Sequence, residues 1–88
     1  MKEPGFQEEL DKLGQRIRKI RKARGMTLVD LEVACGIHDT DLSRIERGLE
    51  SIEYRTVFKI ATGLGVTTSI LTDYDAPIPP KLREIKKP

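Results

Sequence analysis

Between Lys12 and Arg24 the chain carries seven basic residues (Lys12, Arg16, Arg18, Lys19, Arg21, Lys22 and Arg24) and no acidic one. Side chains of this type at this density can neutralise a polyanion such as a nucleic-acid backbone. They can equally form a solvated helix face, so charge alone does not decide. From Thr27 to Glu53 the sign reverses, with seven acidic residues against Arg44 and Arg47. Beyond Ala76 it is basic again through Lys81, Arg83, Lys86 and Lys87, with Glu84 the only acid. Other chemistries find little material. One cysteine, Cys35, excludes an internal disulfide, and one histidine, His38, makes a His/Cys metal cage implausible. The two lie three residues apart across a turn, with no evident orienting partner for nucleophilic catalysis. An enzyme is not expected, nor is a cofactor. Two Phe, two Tyr and no Trp are too few for a single-strand stacking platform.

The elements that must position these residues follow from spacing. Eighty-eight residues suffice for one domain with one modest core. Leu10, Leu13, Ile17 and Ile20 recur at helical steps, and the basic residues fill the rest of that helix's circumference. Arg24-Gly25 predicts its end. Thr27 is placed to cap a second helix, with Asp30 suited to a capping-box variant. That helix carries Leu28, Leu31, Ala34 and Cys35 and ends at Gly36. A short connection leads to Leu42 and Ile45 on a third helix that Gly48 stops. Two short helices joined through a Gly-containing turn are the mark of a helix-turn-helix. After a polar loop, Leu49 to Glu53, a fourth helix holds Val57, Phe58, Ile60, Ala61 and Leu64. Val66, Ile70 and Leu71 predict a short fifth helix starting at Thr67 or Thr68. Four of the five prolines fall after Asp73, which predicts an extended tail there. The expected division is a lead-in at 1–8, a domain at 9–72 and a basic extension at 73–88. No stretch is apolar enough for a membrane span and the N-terminus lacks a secretory layout, so a cytoplasmic location is expected.

Several segments together resemble the phage-repressor and Cro-type (lambda-repressor-like) helix-turn-helix DNA-binding domains. They are Leu13-Gly14-Gln15-Arg16-Ile17-Arg18 with Arg21, Gly25-Met26-Thr27 with Leu31, Gly36-Ile37, Leu42 to Gly48, Phe58-Lys59-Ile60-Ala61 and Leu64-Gly65-Val66. Each is weak alone; in order and at family spacing they are specific. The resemblance covers about Leu13 to Leu71. It implies an all-α, compact five-helix domain that binds double-stranded DNA in a sequence-specific way as a homodimer on a palindromic operator. The implied role is a transcriptional regulator, with repression by occupancy the favoured sign.

In such a domain the first turn of the third helix meets base edges in the major groove. By matching positions, the resemblance assigns base reading to His38, Asp39, Thr40, Ser43 and Arg44. Arg44 is the foremost, because a guanidinium can donate two parallel bonds to guanine; its alternative is a surface pair with Asp41 or Glu46. Thr40 can contact a base or cap the helix. Capping is favoured over cytosine reading for Asp39 or Asp41. His38 stands where the family has a capping Ser or Thr. Arg16, Arg18, Lys19, Lys22, Thr27 and Arg47 are the candidate phosphate contacts. The resemblance also implies a partly buried structural ion pair between Arg21 and Glu46.

Three positions depart from the family pattern. Leu28 replaces a Gln, Glu32 replaces a small Ala, and the loop Leu49 to Glu53 is acidic where relatives carry Lys, Arg or Asn. Glu32 is expected either to loosen the packing or to turn outward toward an Arg. Together they predict modest, steeply salt-dependent affinity. Cys35 is expected to be buried and inert. Ile70, Leu71, Tyr74 and Ile78 are more apolar than a free tail needs. They can pack against the chain's own fourth helix or form a two-fold dimer contact, and some dimerisation through the fifth helix and the following arm is the favoured expectation. Lys81, Arg83, Lys86 and Lys87 can form a disordered solubilising end or a weak DNA arm, with disorder the favoured reading. Two rival functions are an antitoxin-like autoregulator that binds a protein partner through its extension, and an interaction module that has lost DNA binding. The acidic Asp39, Asp41, Glu50 and Glu53 motivate the second.

Overall fold

A computed structural model of the chain describes residues 3–80, and those residues form five helices. In chain order these are α1 (Phe6–Ala23), α2 (Leu28–Cys35), α3 (Asp39–Glu46), α4 (Tyr54–Leu64) and α5 (Thr68–Thr72). Helix α1 starts before the expected domain boundary at residue 9, with Glu8 and Glu9 in its first turn. Carboxylates there favour the positive helix end.

Local chemistry sets the boundaries of α2. Thr27 Oγ1 accepts from the Asp30 N–H at 3.0 Å, and Asp30 Oδ2 accepts from the Thr27 N–H at 2.8 Å. This reciprocal capping box satisfies two donors that the first turn otherwise leaves orphaned. At the other end Gly36 takes φ 79, a left-handed conformation that glycine adopts without a Cβ penalty.

All five helices contribute to one core. Ile17 and Ile20 come from α1, Leu31 from α2, Leu42 and Ile45 from α3, and Val57, Ile60, Ala61 and Leu64 from α4. Val66 and Leu71 close it from the α5 side. Helix α2 packs against both α3 and α4, while α1 lies across α3, α4 and α5.

One close approach fixes how α1 meets α3. Gly14 is buried, and a Cβ built on it would stand 2.6 Å from the Ile45 carbonyl oxygen and closer still to that of Glu46. Only a residue without a side chain lets the two backbones lie so near. The contact seats the C-terminal end of α3 against the middle of α1.

The segment after α5 is docked along its described length. Ile78 packs on the core, and Arg24 Nη1 donates to the Pro79 carbonyl at 2.7 Å while Nε donates to that of Leu64 at 2.9 Å. Residues 73–80 are therefore held by the domain. The basic residues Lys81, Arg83, Lys86 and Lys87 lie outside the described residues.

Candidate nucleic-acid interface

Helix α3 buries Leu42, Ile45 and Glu46 on one side. At 100° per residue, Thr40, Arg44 and Arg47 form a stripe on the opposite side, and all three are exposed. Ser43 is half-buried at its edge, and Asp41 is exposed on the other flank.

The orientation of this stripe depends on a buried ion pair. Arg21 Nε donates to Glu46 Oε2 at 2.7 Å and Nη2 donates to Oε1 at 3.0 Å, a bidentate fork between α1 and α3. Arg21 Nη1 also donates to the Met26 carbonyl at 2.9 Å, which ties in the turn before α2. The hydrogen bond to Glu46 raises the Arg21 pKa above its already high ordinary value; burial opposes that shift and the Glu46 charge adds to it. Charge on both partners is what makes such a buried fork favourable, since either charge alone would be stranded.

The N-terminus of α3 is capped from two directions. His38 Nδ1 accepts from the Thr40 N–H at 3.2 Å, and Glu32 Oε1 reaches across from α2 to accept from the Asp39 N–H at 3.0 Å. Glu32 thus neither loosens the packing nor turns outward to an Arg, which corrects both expectations. It satisfies an orphan donor at the start of α3. A ligand atom of each of Glu32, His38 and Asp39 lies within 4.8 Å of the others. The backbone bonds made by Glu32 and His38 account for the cluster as a cap.

Arg44 has an unexpected partner. Its Nε donates to Glu50 Oε1 at 3.2 Å, across to the loop that follows α3. Neither Asp41 nor Glu46 holds it. Both side chains of the pair remain partly exposed, at 45% and 34%.

The candidate phosphate contacts divide. Arg18 and Lys22 are exposed on α1 beside the edge where Gly14 and Arg21 meet α3. Thr27 is exposed at the start of α2, and Arg47 is exposed at the end of α3 with Nε donating to the Ser43 carbonyl at 3.4 Å. Arg16 does not join them. It is 3% exposed, and both Nε and Nη2 donate to the Ile70 carbonyl, at 3.3 and 3.0 Å, so it braces α5 from inside. Lys19 is exposed one turn further along that same flank. The dimer residues also need correction, because Leu71 is fully buried in the chain's own core. Ile70, Tyr74 and Ile78 are half-buried, and Ile70 and Ile78 pack on that core. The large exposed apolar side chains lie elsewhere: Tyr54 and Phe58 on α4, Val29 and Val33 on α2, Phe6 at the start of α1 and Leu49 after α3.

A profile of the HTH_3 helix-turn-helix family matches residues 17–71, a span that runs from α1 through the core of α5. The chain belongs to this family. Among HTH_3 relatives it is similar to the control protein C.BamHI of Bacillus amyloliquefaciens, 36% identical over 62 residues, which are 69% of this chain and 76% of that protein. It also resembles the restriction-modification controller protein C.AhdI from Aeromonas hydrophila. There the TM-score is 0.71 at 30% identity, covering 73% of this chain and 97% of that one. An HTH_3 family transcriptional regulator from Vibrio cholerae aligns with TM-score 0.75 at 28% identity, over 80% of this chain and 39% of that protein. Among the described residues no helix is long and apolar enough to cross a membrane.

Proposed function

We propose that the chain is a transcriptional regulator of the restriction-modification controller kind, acting in the cytoplasm as a homodimer on double-stranded DNA. The observation that carries this reading is the pinned α3. The Arg21–Glu46 fork, the Gly14 contact and a doubly capped first turn hold a helix whose free side presents Thr40, Arg44 and Arg47. That is the geometry needed for a reading helix in the major groove, with phosphate contacts from the flanking helix ends. Arg44 reads guanine, Thr40 and Ser43 contact neighbouring base edges, and His38 and Asp39 organise the first turn. Arg18, Lys22, Arg47 and the N–H groups at the start of α2 clamp phosphates. The relatives named controllers match over most of their own length, which supports the controller reading.

The homodimer follows from the reading chemistry, because one such module covers half an operator. The exposed pair Tyr54 and Phe58, one turn apart on α4, is the apolar surface available for it. The antitoxin-like rival rests on an extension of which residues 81–88 lie outside the described residues, and no observation favours it.

Selection from a random duplex library, followed by salt titration of the winning sequence with the native chain and Arg44→Ala, tests the reading. A palindromic site weakened by Arg44→Ala is expected, with a loss of about 1–3 kcal/mol if one bidentate guanine contact is removed. Enrichment of no sequence, or a winner indifferent to Arg44→Ala, would refute the assignment.

A further inference from the structure

A cavity of about 190 Å³ opens on the flank of α1 and is lined by Lys12, Gln15, Arg16, Lys19 and Tyr74. A single water needs ~10–15 Å³ on this kind of measure, so the space admits a larger guest. Its α1 residues fall at i, i+3, i+4 and i+7, which is one stripe of the helix.

The electrostatics of this stripe are unbalanced. Arg16 is 3% exposed, yet among the described residues its guanidinium bonds only to the neutral Ile70 carbonyl and Nη1 has no hydrogen-bond partner. Among the described residues no carboxylate lies within 4.0 Å of Arg16 or Lys19, and Lys12 reaches only Glu9, at that limit. A buried cation without a counter-ion is costly, and so is a buried N–H without an acceptor. Arg16 carries both deficits, and together with the exposed Lys12 and Lys19 around the same cavity it calls for an anion that brings several acceptor atoms. Burial raises the Tyr74 pKa, aided by the Glu9 charge, so its hydroxyl stays protonated and able to donate.

We propose that this cavity binds a small phosphate-type anion, free phosphate or a phosphate monoester, through Arg16, Lys12 and Lys19 with Gln15 and Tyr74 as neutral donors. The guest is a free ligand rather than the DNA backbone. At 3.6 residues per turn, the stripe is centred roughly 160° around α1 from the Gly14–Arg21 edge that meets α3. A duplex seated on α3 therefore leaves the cavity on the far flank. The same Arg16 guanidinium holds α5 through Ile70, so an occupied site stiffens the α1–α5 contact.

The test is a titration of the full chain with inorganic phosphate, followed by amide NMR at constant ionic strength with chloride as the exchanged anion. Saturating shifts confined to residues 12–19 and 68–75 are expected, with a dissociation constant raised about tenfold in Lys19→Gln. Lys19 is exposed, so that variant keeps the fold. Lys59→Gln, exposed on α4 and outside the cavity lining, is expected to leave the constant unchanged. Repeating the titration with a saturating nonspecific duplex at low salt separates the two phosphate sources. Unchanged phosphate affinity supports the free-ligand site, and competition by DNA overturns it. Non-saturating shifts spread over all lysines, or indifference to Lys19→Gln, overturn it as well. The measurement on the free protein is independent of sequence-specific DNA reading, so failure of one leaves the other standing.

Discussion

The contact between Arg44 and Glu50 places a carboxylate in the path of the residue assigned to guanine. An exposed ion pair of this kind is worth about 0.2–1 kcal/mol, whereas a good bidentate guanine contact discriminates by about 1–3 kcal/mol. Exchange of partners is therefore downhill when guanine is present and close to neutral when it is not. On the proposed guanine contact, Glu50 would compete for Arg44 on incorrect sequences, at some loss of affinity. Glu50→Gln is accordingly expected to tighten binding to unrelated duplex more than to the selected site, by about two- to fivefold. Fluorescence anisotropy on both duplexes reads this directly, and equal gains on the two would remove the discriminating role. Cys35 gives a second prediction at this scale. Burial raises its pKa first; the Ile37 and Cys35 backbone contacts and Lys59 lower it, and Glu32 raises it. A folded-state pKa above the unfolded one means the thiol's contribution to stability is full below the ordinary thiol value, ~8.5, and is lost as pH rises through the folded value. The difference in thermal midpoint between the native chain and Cys35→Ala should move against the native chain above about pH 8.5. A difference independent of pH from 7 to about 10 would show that burial does not disfavour the thiolate.

At the scale of elements, the seat of α3 on α1 is a competition between propensity and space. Replacing a mid-helix glycine by alanine ordinarily gains about 1 kcal/mol. At Gly14 the added methyl would meet two backbone carbonyls of α3, which cannot swing aside as a flexible side chain can. Forced separation of packed elements costs about 1–3 kcal/mol, so the net change in Gly14→Ala is a loss. Urea denaturation should show a lower midpoint, and DNA affinity should fall because the Arg21–Glu46 fork is stretched. A raised midpoint would mean that the helices are not in backbone contact. What the sequence made legible here was local: the apolar steps of α1, the Thr27–Asp30 box and the glycine stops each depend on neighbours a few residues away. The order of family segments added the Arg21–Glu46 match. Contacts set by tertiary placement were not legible. Glu32 read as a misfit because its acceptor role needs the α3 amide of Asp39 brought alongside α2. Arg16 read as one more surface cation because its acceptor, Ile70, is 54 residues away. Spacing places Leu71 on a fifth helix but leaves dimer contact favoured over packing on α4, because nothing local says that α5 folds back onto α1 and α4. Arg24 read only as a last-turn cation, and no local signal pointed to its bonds with Leu64 and Pro79.

For the whole molecule, the proposed homodimer requires a surface that pairs two copies. Leu71 and Ile78 are used inside the chain, so the extension beyond α5 serves first to close the domain. Tyr54 and Phe58 are 73% and 57% exposed, one turn apart, on a helix whose other face is the core. Aromatic pairs of this size are the usual anchors of a small interface, and a two-fold axis through the patch would let each ring meet its counterpart. Tyr54→Ser with Phe58→Ser should leave the monomer folded, since neither side chain belongs to the buried core. It should also shift sedimentation from dimer to monomer at micromolar concentration. The variant is then expected to bind a single half-site nearly as well as the native chain and a full palindrome far more weakly, because the second half-site no longer gains from effective concentration. Leu71→Ser is the contrasting control: it should lower the unfolding free energy measured in urea by about 2–5 kcal/mol, through loss of core packing rather than of pairing. If Tyr54→Ser with Phe58→Ser stays dimeric while remaining folded, the pairing surface lies elsewhere, and the exposed Val29–Val33 ridge of α2 becomes the next face to substitute.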